Sequence, residues 1–429
     1  MESAAAANIP SIKRKKERYI NFYPLLFCQI YLFCAYEKMI CLETRHFNVN
    51  RILLLAVGLW PYQRSRIVEL QSILFLGTLI IFIIFQFTTF LTSKCTPEHI
   101  FEIISTTFFF TCYVIKYNSF WINADTIRIS LDRLQDVCNE LRDENEIAIL
   151  KEYGSKAKRY TTAIILLGIY CVGTVTAMYI WTYIQYIGLP KNESRLNPSV
   201  YVMTEYFIDQ EKYSYLITLH VLAAIYIGAV SLIATGTMLI AYLQHICGMF
   251  SIASYRIEQA VNVLQKDILK SENMVYKKIT YAVDIHRKAI EFTDFLISNF
   301  EGSFSFMIAI IVTCLSLHLF RLASYNDEIG KLVGSFIMIN ILYAYLFLAN
   351  YTAQDITDHN ECVFATVYNV QWYTAPLHIQ KIILFLLQRG TKPFHISIGG
   401  IFVASLESAA TMFNTSIYYF TVLCSTREI

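Results

Sequence analysis

Charged residues are scarce in this 429-residue sequence: Asp, Glu, Lys and Arg together make up only 16% of it. Soluble domains average about 25%. Hydrophobic residues reach 55%, and they are concentrated in long runs. This imbalance excludes an ordinary soluble domain and indicates an integral membrane protein. The net charge of +2 gives no indication of a nucleic-acid partner.

Motifs of enzymes and metal centres are also lacking. The 11 cysteines include no Cys-x-x-Cys pair, which argues against a disulfide framework or a zinc site. The sequence has no HExxH, GxSxG, phosphate-binding loop or dinucleotide fingerprint. Asp355, Asp358, His359 and Glu361 resemble a metal cluster at helical spacing, and Asp355 and His359 could share one face, but we favour a solvated helix extension just inside the membrane. We therefore expect no enzyme activity, no cofactor and no metal site.

Seven segments have the length of a membrane-spanning helix, which needs about 20 apolar residues. They are approximately residues 70–91, 103–122, 160–187, 213–243, 295–322, 331–350 and 394–424. Charged helical segments at 124–159 and 244–290 connect them. The sequence thus predicts an all-α integral membrane fold with seven transmembrane helices.

Three further segments complete the predicted domain organisation. Residues 39–69 form a cytosolic amphipathic segment, and residues 351–393 form a cytosolic segment before the last span. Residues 1–38 are an N-terminal extension of unknown role. Its apolar run, 24–42, is short for an eighth span, and no small-residue cleavage site of a signal peptide follows it.

Lys and Arg residues are distributed unequally between the two sides of the predicted spans. The N-terminal segment and the loops on its side hold 27 of them, while the alternate loops and the C-terminus hold 7. By the positive-inside rule the N-terminus is cytosolic and the C-terminus extracellular. This orientation is the inverse of that of a G-protein-coupled receptor. The sequon Asn192-Glu193-Ser194 then lies outside, so we predict glycosylation at Asn192.

The last apolar segment, 394–424, is unusually rich in small and polar residues. Gly400, Ala404 and Ser408 are four apart and would form a groove for a neighbouring helix. Polar groups at membrane depth usually face protein or water, so we predict one helix beside a central pore. Glu407 lies well inside this segment. It either contributes to the pore or pairs with a neighbouring helix.

Apolar residues form two candidate contact surfaces. The first, in the outer halves of spans 2, 3, 4 and 6, would line a small apolar pocket suited to a volatile ligand, although core packing explains any single member. Its residues are Phe108, Phe109, Met178, Trp181, His220, Tyr226, Phe336 and Met338. The second surrounds a cytosolic run too short to span a bilayer and would join subunits. Its residues are Trp372, Tyr373, Ile382, Ile383, Phe385 and Leu386.

An ordered series of short segments, covering about residues 47–426, resembles the insect odorant receptors. No single motif is specific, but the order is. The segments are Gly58-Leu59-Trp60-Pro61, His245 to Phe250, Tyr255-Arg256-Ile257, His286-Arg287-Lys288-Ala289, Gln354 to His359, Tyr368, Trp372-Tyr373, Lys392-Pro393 and Ser416 to Leu423. The departure is at residues 1–38, since Met39 would be a start typical of the family.

The resemblance implies a heterotetrameric, non-selective cation channel formed with a shared odorant receptor co-receptor. It would reside in the plasma membrane of the olfactory neuron dendrite, bind a small volatile odorant among its lipid-embedded spans 2, 3, 4 and 6, and require no G protein. The cytosolic ends of helices 4 to 7 would form the subunit anchor. The loop at 244–290 is shorter than the co-receptor's, so the chain resembles a ligand-tuning subunit.

The same resemblance implies that the seventh spans of the subunits line the central pore. It places Thr421, Val422 and Leu423 at the outer constriction of this pore. Two helical stripes are possible pore faces: one with Ile417, Thr421 and Cys424, the other with Tyr418, Val422 and Ser425. Together with Glu407, we take Ile417, Thr421, Val422 and Leu423 as the candidate pore residues.

Two alternative functions have less support in the sequence. A gustatory-type ligand-gated channel would share the fold and could work as a homomer. A secondary transporter would show internal repeats and paired broken helices, and the sequence shows neither.

Overall fold

A computed structural model describes residues 44–92, 96–188, 204–266, 268–324 and 329–427. The chain divides into two units, Met1–Thr44 and Arg45–Ile429, and the second contains the long apolar helices. The predicted extension 1–38 and the sequon at Asn192 both lie outside the described residues.

The described residues are almost entirely helical, as predicted. Eleven α-helices occur in them: α1 (Thr44–Ala56), α2 (Arg66–Phe87), α3 (Thr89–Thr92), α4 (Pro97–Ile122), α5 (Ala124–Glu140), α6 (Glu144–Gly188), α7 (Gln210–Lys266), α8 (Ile268–Ser324), α9 (Ile329–Asn369), α10 (Leu377–Gly390) and α11 (Leu406–Arg427). A 3₁₀ turn (Trp372–Thr374) precedes α10. A short antiparallel hairpin of β1 (Ser397–Ile398) and β2 (Phe402–Val403) precedes α11.

Two helices of the membrane bundle begin at capping residues visible in the sequence. The Ser65 side chain accepts a hydrogen bond from Val68 N at the start of α2. Thr96 does the same for His99 N at the start of α4, where Pro97 takes the first helical position. Ser and Thr caps satisfy amide groups that lack a partner within the helix, and Pro has no such amide to satisfy.

Six helical stretches of the described chain are long and apolar enough to cross a membrane. They are Arg66–Thr92, His99–Ile122, Glu144–Trp181, Lys212–Val263, Glu272–Ser324 and Leu332–Asn369. Each of the helices α7 and α8 has 57 residues and is therefore about 85 Å long. The hydrocarbon core of a bilayer is about 30 Å thick, so both helices continue far beyond it.

The helix α7 is the centre of the fold, because it packs along α4, α6, α8 and α9. Tyr242, Ile246 and Phe250 on α7 follow one another at intervals of four and are fully buried. They belong to a core cluster to which α1, α5, α8 and α9 also contribute. A second cluster, around Phe82 and Phe110, joins α2, α4, α7 and α8.

The segment 394–405 is not helical, which corrects the prediction of one helix from 394 to 424. Gly399 and Gly400 both have φ of 65°, a left-handed conformation that is incompatible with an α-helix and that glycine adopts at no steric cost. Gly399 N donates a hydrogen bond to Glu301 Oε1 on α8 at 2.7 Å, and Ala404 N bonds Ile396 O at 2.9 Å. The predicted groove of Gly400, Ala404 and Ser408 therefore does not form.

The last helix, α11, starts at Leu406, so Glu407 lies in its first turn and is exposed. Its predicted position well inside a span is wrong. A carboxylate in the first turn interacts favourably with the helix dipole. Eight of the 22 residues of α11 are Ser, Thr or Asn, and the stretches long and apolar enough to cross a membrane do not include it. A seventh crossing stays a prediction.

Candidate functional site

A cavity of about 300 Å³ lies among α4, α6, α7, α8 and α9. Its wall is mainly aliphatic and aromatic, with contributions from Phe109, Tyr113, Tyr179 and Phe304. A volume of this order is at the lower end of the range for small-molecule sites, which are mostly apolar with a few placed polar groups. The cavity is the candidate ligand site.

An aromatic cluster on α4 forms one side of the cavity. The ring centroids of Phe109 and Tyr113 are 4.9 Å apart and those of Phe110 and Tyr113 are 5.5 Å apart, both pairs packed edge to face. Gly228 on α7 lies directly against the Tyr113 ring, and a Cβ at this position would clash with it. The absence of a side chain at Gly228 therefore allows α7 and α4 to approach closely.

Three basic side chains of the cavity wall are buried: Lys116, His318 and Arg321. Arg321 on α8 is paired across the bundle with Glu102 on α4. Its Nη2 lies 3.0 Å from Glu102 Oε1, and its Nη1 donates to Ser105 Oγ at 3.0 Å. Both charged side chains are almost fully buried, so this ion pair joins α4 to α8 within the protein.

The structure brings three of the eight predicted ligand residues to the cavity wall: Phe109, Met178 and Met338. The other five lie elsewhere: Phe108, Trp181, His220, Tyr226 and Phe336. Trp181 is 63% exposed, and Phe336 is also exposed, so both point away from the bundle. The cavity also extends deeper than predicted, since Ile240 and Leu243 of its wall belong to the inner half of the predicted fourth span. The face that each helix directs inward depends on the neighbouring helices.

The remaining three of these residues have other contacts. His220 Nδ1 lies 2.7 Å from the hydroxyl of Tyr206. The Tyr226 hydroxyl lies 3.1 Å from Thr176 Oγ1. Phe108 packs against the second core cluster. Residues that sequence reasoning missed, by contrast, line the cavity: Tyr113, Lys116, Tyr179, Phe304 and Tyr345.

The helix α11 packs against α8 through one face. Ala409, Met412 and Ser416 are buried there, and Ser416 Oγ donates to Val312 O at 3.3 Å. The predicted pore residues do not belong to this buried face. Ile417, Thr421 and Val422 are exposed, and Leu423 is half-buried. Thr421 and Val422 are therefore directed away from the helices of their own chain.

Asp355 and His359 do not form a solvated helix extension. His359 Nδ1 donates to the Asp355 carbonyl at 2.6 Å, and its Nε2 lies 2.6 Å from the Tyr153 hydroxyl. Asp355 Oδ2 accepts a hydrogen bond from Gln244 at 2.8 Å. This network joins α6, α7 and α9 beyond the predicted sixth span. The helix does extend past that span, with Asp358 and Glu361 exposed, so the interpretation we favoured is wrong only for Asp355 and His359.

The same network shifts the pKa values of both His359 and Asp355. Burial alone would lower the pKa of His359, but hydrogen bonds to Asp355 raise that pKa above its usual value. Burial would raise the pKa of Asp355, but His359 and Gln244 lower it. Potential ligand atoms of Cys247, Asp355 and His359 lie within 4.8 Å of one another. Because both ring nitrogens of His359 are already hydrogen-bonded, we assign the cluster a structural role.

The predicted subunit surface around α10 is partly internal. Ile383 and Leu386 are buried against the chain's own core, which corrects their assignment to a contact between subunits. Tyr373 and Phe385 are exposed, Phe385 to 70%, while Trp372 and Ile382 are half-buried. The hydrophobic run thus has one face for the subunit itself and one face directed outward.

A bundle of helices that are long and apolar enough to cross a membrane, with an apolar cavity among them, is the architecture of a multi-pass membrane protein with a candidate small-molecule site. The family model of the 7tm odorant receptors matches residues 96–417, well over half of the sequence. The chain belongs to this family. It therefore falls in a family of olfactory receptors rather than of enzymes, and its long apolar helices are those of a multi-pass membrane protein.

Individual relatives are distant in sequence. Odorant receptor 22a of Drosophila melanogaster is 19% identical over 170 residues, which are 39% of this chain and 42% of that receptor. The olfactory receptor OR5 of Machilis hrabei in complex with eugenol is 16% identical and has a TM-score of 0.74, with 93% of this chain and 99% of OR5 covered. OR5 without a stated ligand gives a TM-score of 0.66. These likenesses show a common fold.

Proposed function

We propose that the chain is a ligand-tuning subunit that binds a small volatile odorant and gates a non-selective cation conductance together with the odorant receptor co-receptor. The observation that supports this most directly is the cavity of about 300 Å³ among the apolar helices. A receptor of the same fold was solved in complex with eugenol, which supports a small organic ligand for this cavity.

The proposed orientation has a cytosolic N-terminus, an extracellular C-terminus and α11 as the seventh span beside the pore. The 27-to-7 distribution of Lys and Arg supports it, and the location would be the plasma membrane of the olfactory neuron dendrite. In Asn192→Gln, we expect the glycosidase-sensitive mobility shift of the wild type to be lost. A shift that persists in this variant, or one that maps to residues 244–290, would contradict the orientation.

Whole-cell recording tests the function. The chain is expressed with and without the co-receptor, and volatiles are applied while a GDP analogue in the pipette blocks G proteins. We expect large ligand-evoked cation currents that require the co-receptor and persist with the analogue. Equal currents without the co-receptor would favour the gustatory-type homomer, and small gradient-coupled currents would favour a transporter.

Phe109 provides a matched test of the cavity itself. Phe109 lines the cavity and is 3% exposed, whereas Trp181 is 63% exposed. Removing an aromatic ring that contacts the ligand costs roughly 1.5–3 kcal/mol of apolar contact, so Phe109→Ala should raise the half-maximal odorant concentration about 10- to 150-fold. Trp181→Ala should leave it unchanged. If Trp181→Ala shifted the dose response and Phe109→Ala did not, the ligand would bind outside this cavity.

A further inference from the structure

Lys116 is a buried cation inside the apolar bundle. It lies on α4, is 2% exposed and lines the cavity. Its Nζ is 4.8 Å from the ring centroid of Phe304 on α8 and 5.4 Å from that of Tyr345 on α9. Aromatic faces at such distances stabilise an ammonium group through the ring quadrupole. Two helices thus contribute a ring to one ammonium group.

The charge of Lys116 has no counter-charge within the described part of the chain. No hydrogen bond or ion pair joins its Nζ to another described residue. Arg321, by contrast, has the carboxylate of Glu102 at 3.0 Å. Buried charges are generally paired, because removal of an isolated ion from water is costly. An ionisable residue at membrane depth is also a functional candidate by default.

We propose that Lys116 binds the terminal carboxylate of a volatile fatty acid whose alkyl chain fills the cavity. This inference rests on the proposed odorant function and specifies its ligand class. A carboxylate would supply the missing counter-charge in a place of low dielectric, where the attraction is stronger than in water. The aliphatic and aromatic wall around Phe109, Leu167 and Ile233 suits the hydrocarbon chain.

Tyr345 adds a second donor at the same end of the cavity. It lines the cavity beside Lys116, and within the described residues its hydroxyl makes no hydrogen bond to a side chain or carbonyl. A carboxylate has two oxygens, and each accepts hydrogen bonds. One oxygen would accept from Lys116 Nζ and the other from the Tyr345 hydroxyl. An ester or an alkane of the same length lacks this charge.

The test compares octanoic acid, methyl octanoate and octane at neutral pH in cells with the co-receptor. For each probe we measure the current that it evokes, or its inhibition of the current that an active volatile evokes. In the wild type we expect the acid to act at the lowest concentration. Lys116→Met should raise the concentration needed for the acid about 10- to 100-fold, since a hydrogen bond to a charged group is lost, and should leave octane unchanged.

Two further variants separate charge from packing. Lys116→Arg keeps the cation and should keep the preference for the acid, and Tyr345→Phe should weaken it without abolishing it. Lys212→Met, at an exposed lysine, is the matched control and should behave as the wild type. Lys116→Met keeps the length of the side chain and removes an uncompensated buried charge, so surface biotinylation should show normal delivery.

The outcomes distinguish this inference from the proposed function. If no volatile evokes a current in the wild type with the co-receptor, odorant gating itself is wrong. If other volatiles evoke currents but octanoic acid neither activates nor competes, the ligand class is wrong and gating stands. The same holds if Lys116→Met reaches the surface and still prefers the acid over octane. Loss of that preference in Lys116→Met alone supports the inference.

Discussion

Glu102→Gln is expected to destabilise the receptor by roughly 3–5 kcal/mol, the usual cost of removing one partner from a buried ion pair. The substitution preserves the shape of the side chain but leaves Arg321 as an uncompensated cation, with both side chains almost completely excluded from solvent. Because the pair joins α4 to α8, its loss should also loosen the wall of the cavity. The thermal midpoint of the detergent-solubilised protein and its surface biotinylation measure the effect.

The double variant Glu102→Gln with Arg321→Met is the informative control. Replacing both members of a buried ion pair is often nearly neutral, whereas breaking the pair is not, so the double variant should recover much of the midpoint that Glu102→Gln loses. A matched exposed pair is Glu152 with Lys156, 3.8 Å apart. Glu152→Gln should lower the free energy of unfolding by at most about 1 kcal/mol. An unchanged midpoint in Glu102→Gln would show that the pair contributes no net stability.

The helices of the bundle are predictable from sequence because their apolar runs far exceed the length of a soluble core helix. The end of the last helix is different. Gly399 and Gly400 are adjacent, and a Gly-Gly pair indicates a turn, but the long run of uncharged residues around it suggested one continuous span. The hairpin is stabilised by Glu301, a contact between positions 98 apart in the chain that no local pattern contains.

The helices that form the cavity were predictable, but the inward face of each helix was not. Phe109 and Trp181 are both aromatic residues of predicted ligand-binding spans, yet only Phe109 lines the cavity, because the packing of α7 and α8 decides which face of each helix is internal. Lys116 did carry a signal, as the only charged residue inside the second predicted span. Ionisable residues at membrane depth are rare and usually functional, so this signal alone could have identified it.

The partners of buried charges were less accessible to sequence reasoning. Arg321 lies at the end of the fifth predicted span and was counted with the external loop, where an exposed arginine is ordinary. It pairs with Glu102, a residue 219 positions away in the chain on another helix. Ile383 and Phe385 are likewise close together in one apolar run, yet the first packs inside the subunit and the second outside it.

Val422→Ser is expected to increase the current without ligand. Ala409, Met412 and Ser416 hold one face of α11 against its own bundle, while Thr421 and Val422 are exposed. An apolar constriction closes a pore by excluding water. Serine at this position would make the dry, closed state roughly 1–2 kcal/mol less favourable, which changes the ratio of closed to open channels about 5- to 30-fold. Whole-cell recording with the co-receptor measures this basal current.

Cys424→Ser tests the alternative stripe of Ile417 and Thr421, because it introduces the same hydroxyl group nearly half a turn away from Val422 on α11, at a half-buried position. Its basal current should equal that of the wild type. Thr421→Val tests the neighbouring position, since removal of a hydroxyl from the permeation path should lower the current rather than raise it. If Val422→Ser reaches the surface and leaves basal current, ion selectivity and pore block unchanged, Val422 faces lipid or another subunit. The exposed side of α11, which also carries Asn414 and Ser425, would then have to bury these polar groups against a neighbouring chain, because polar side chains at membrane depth rarely face lipid.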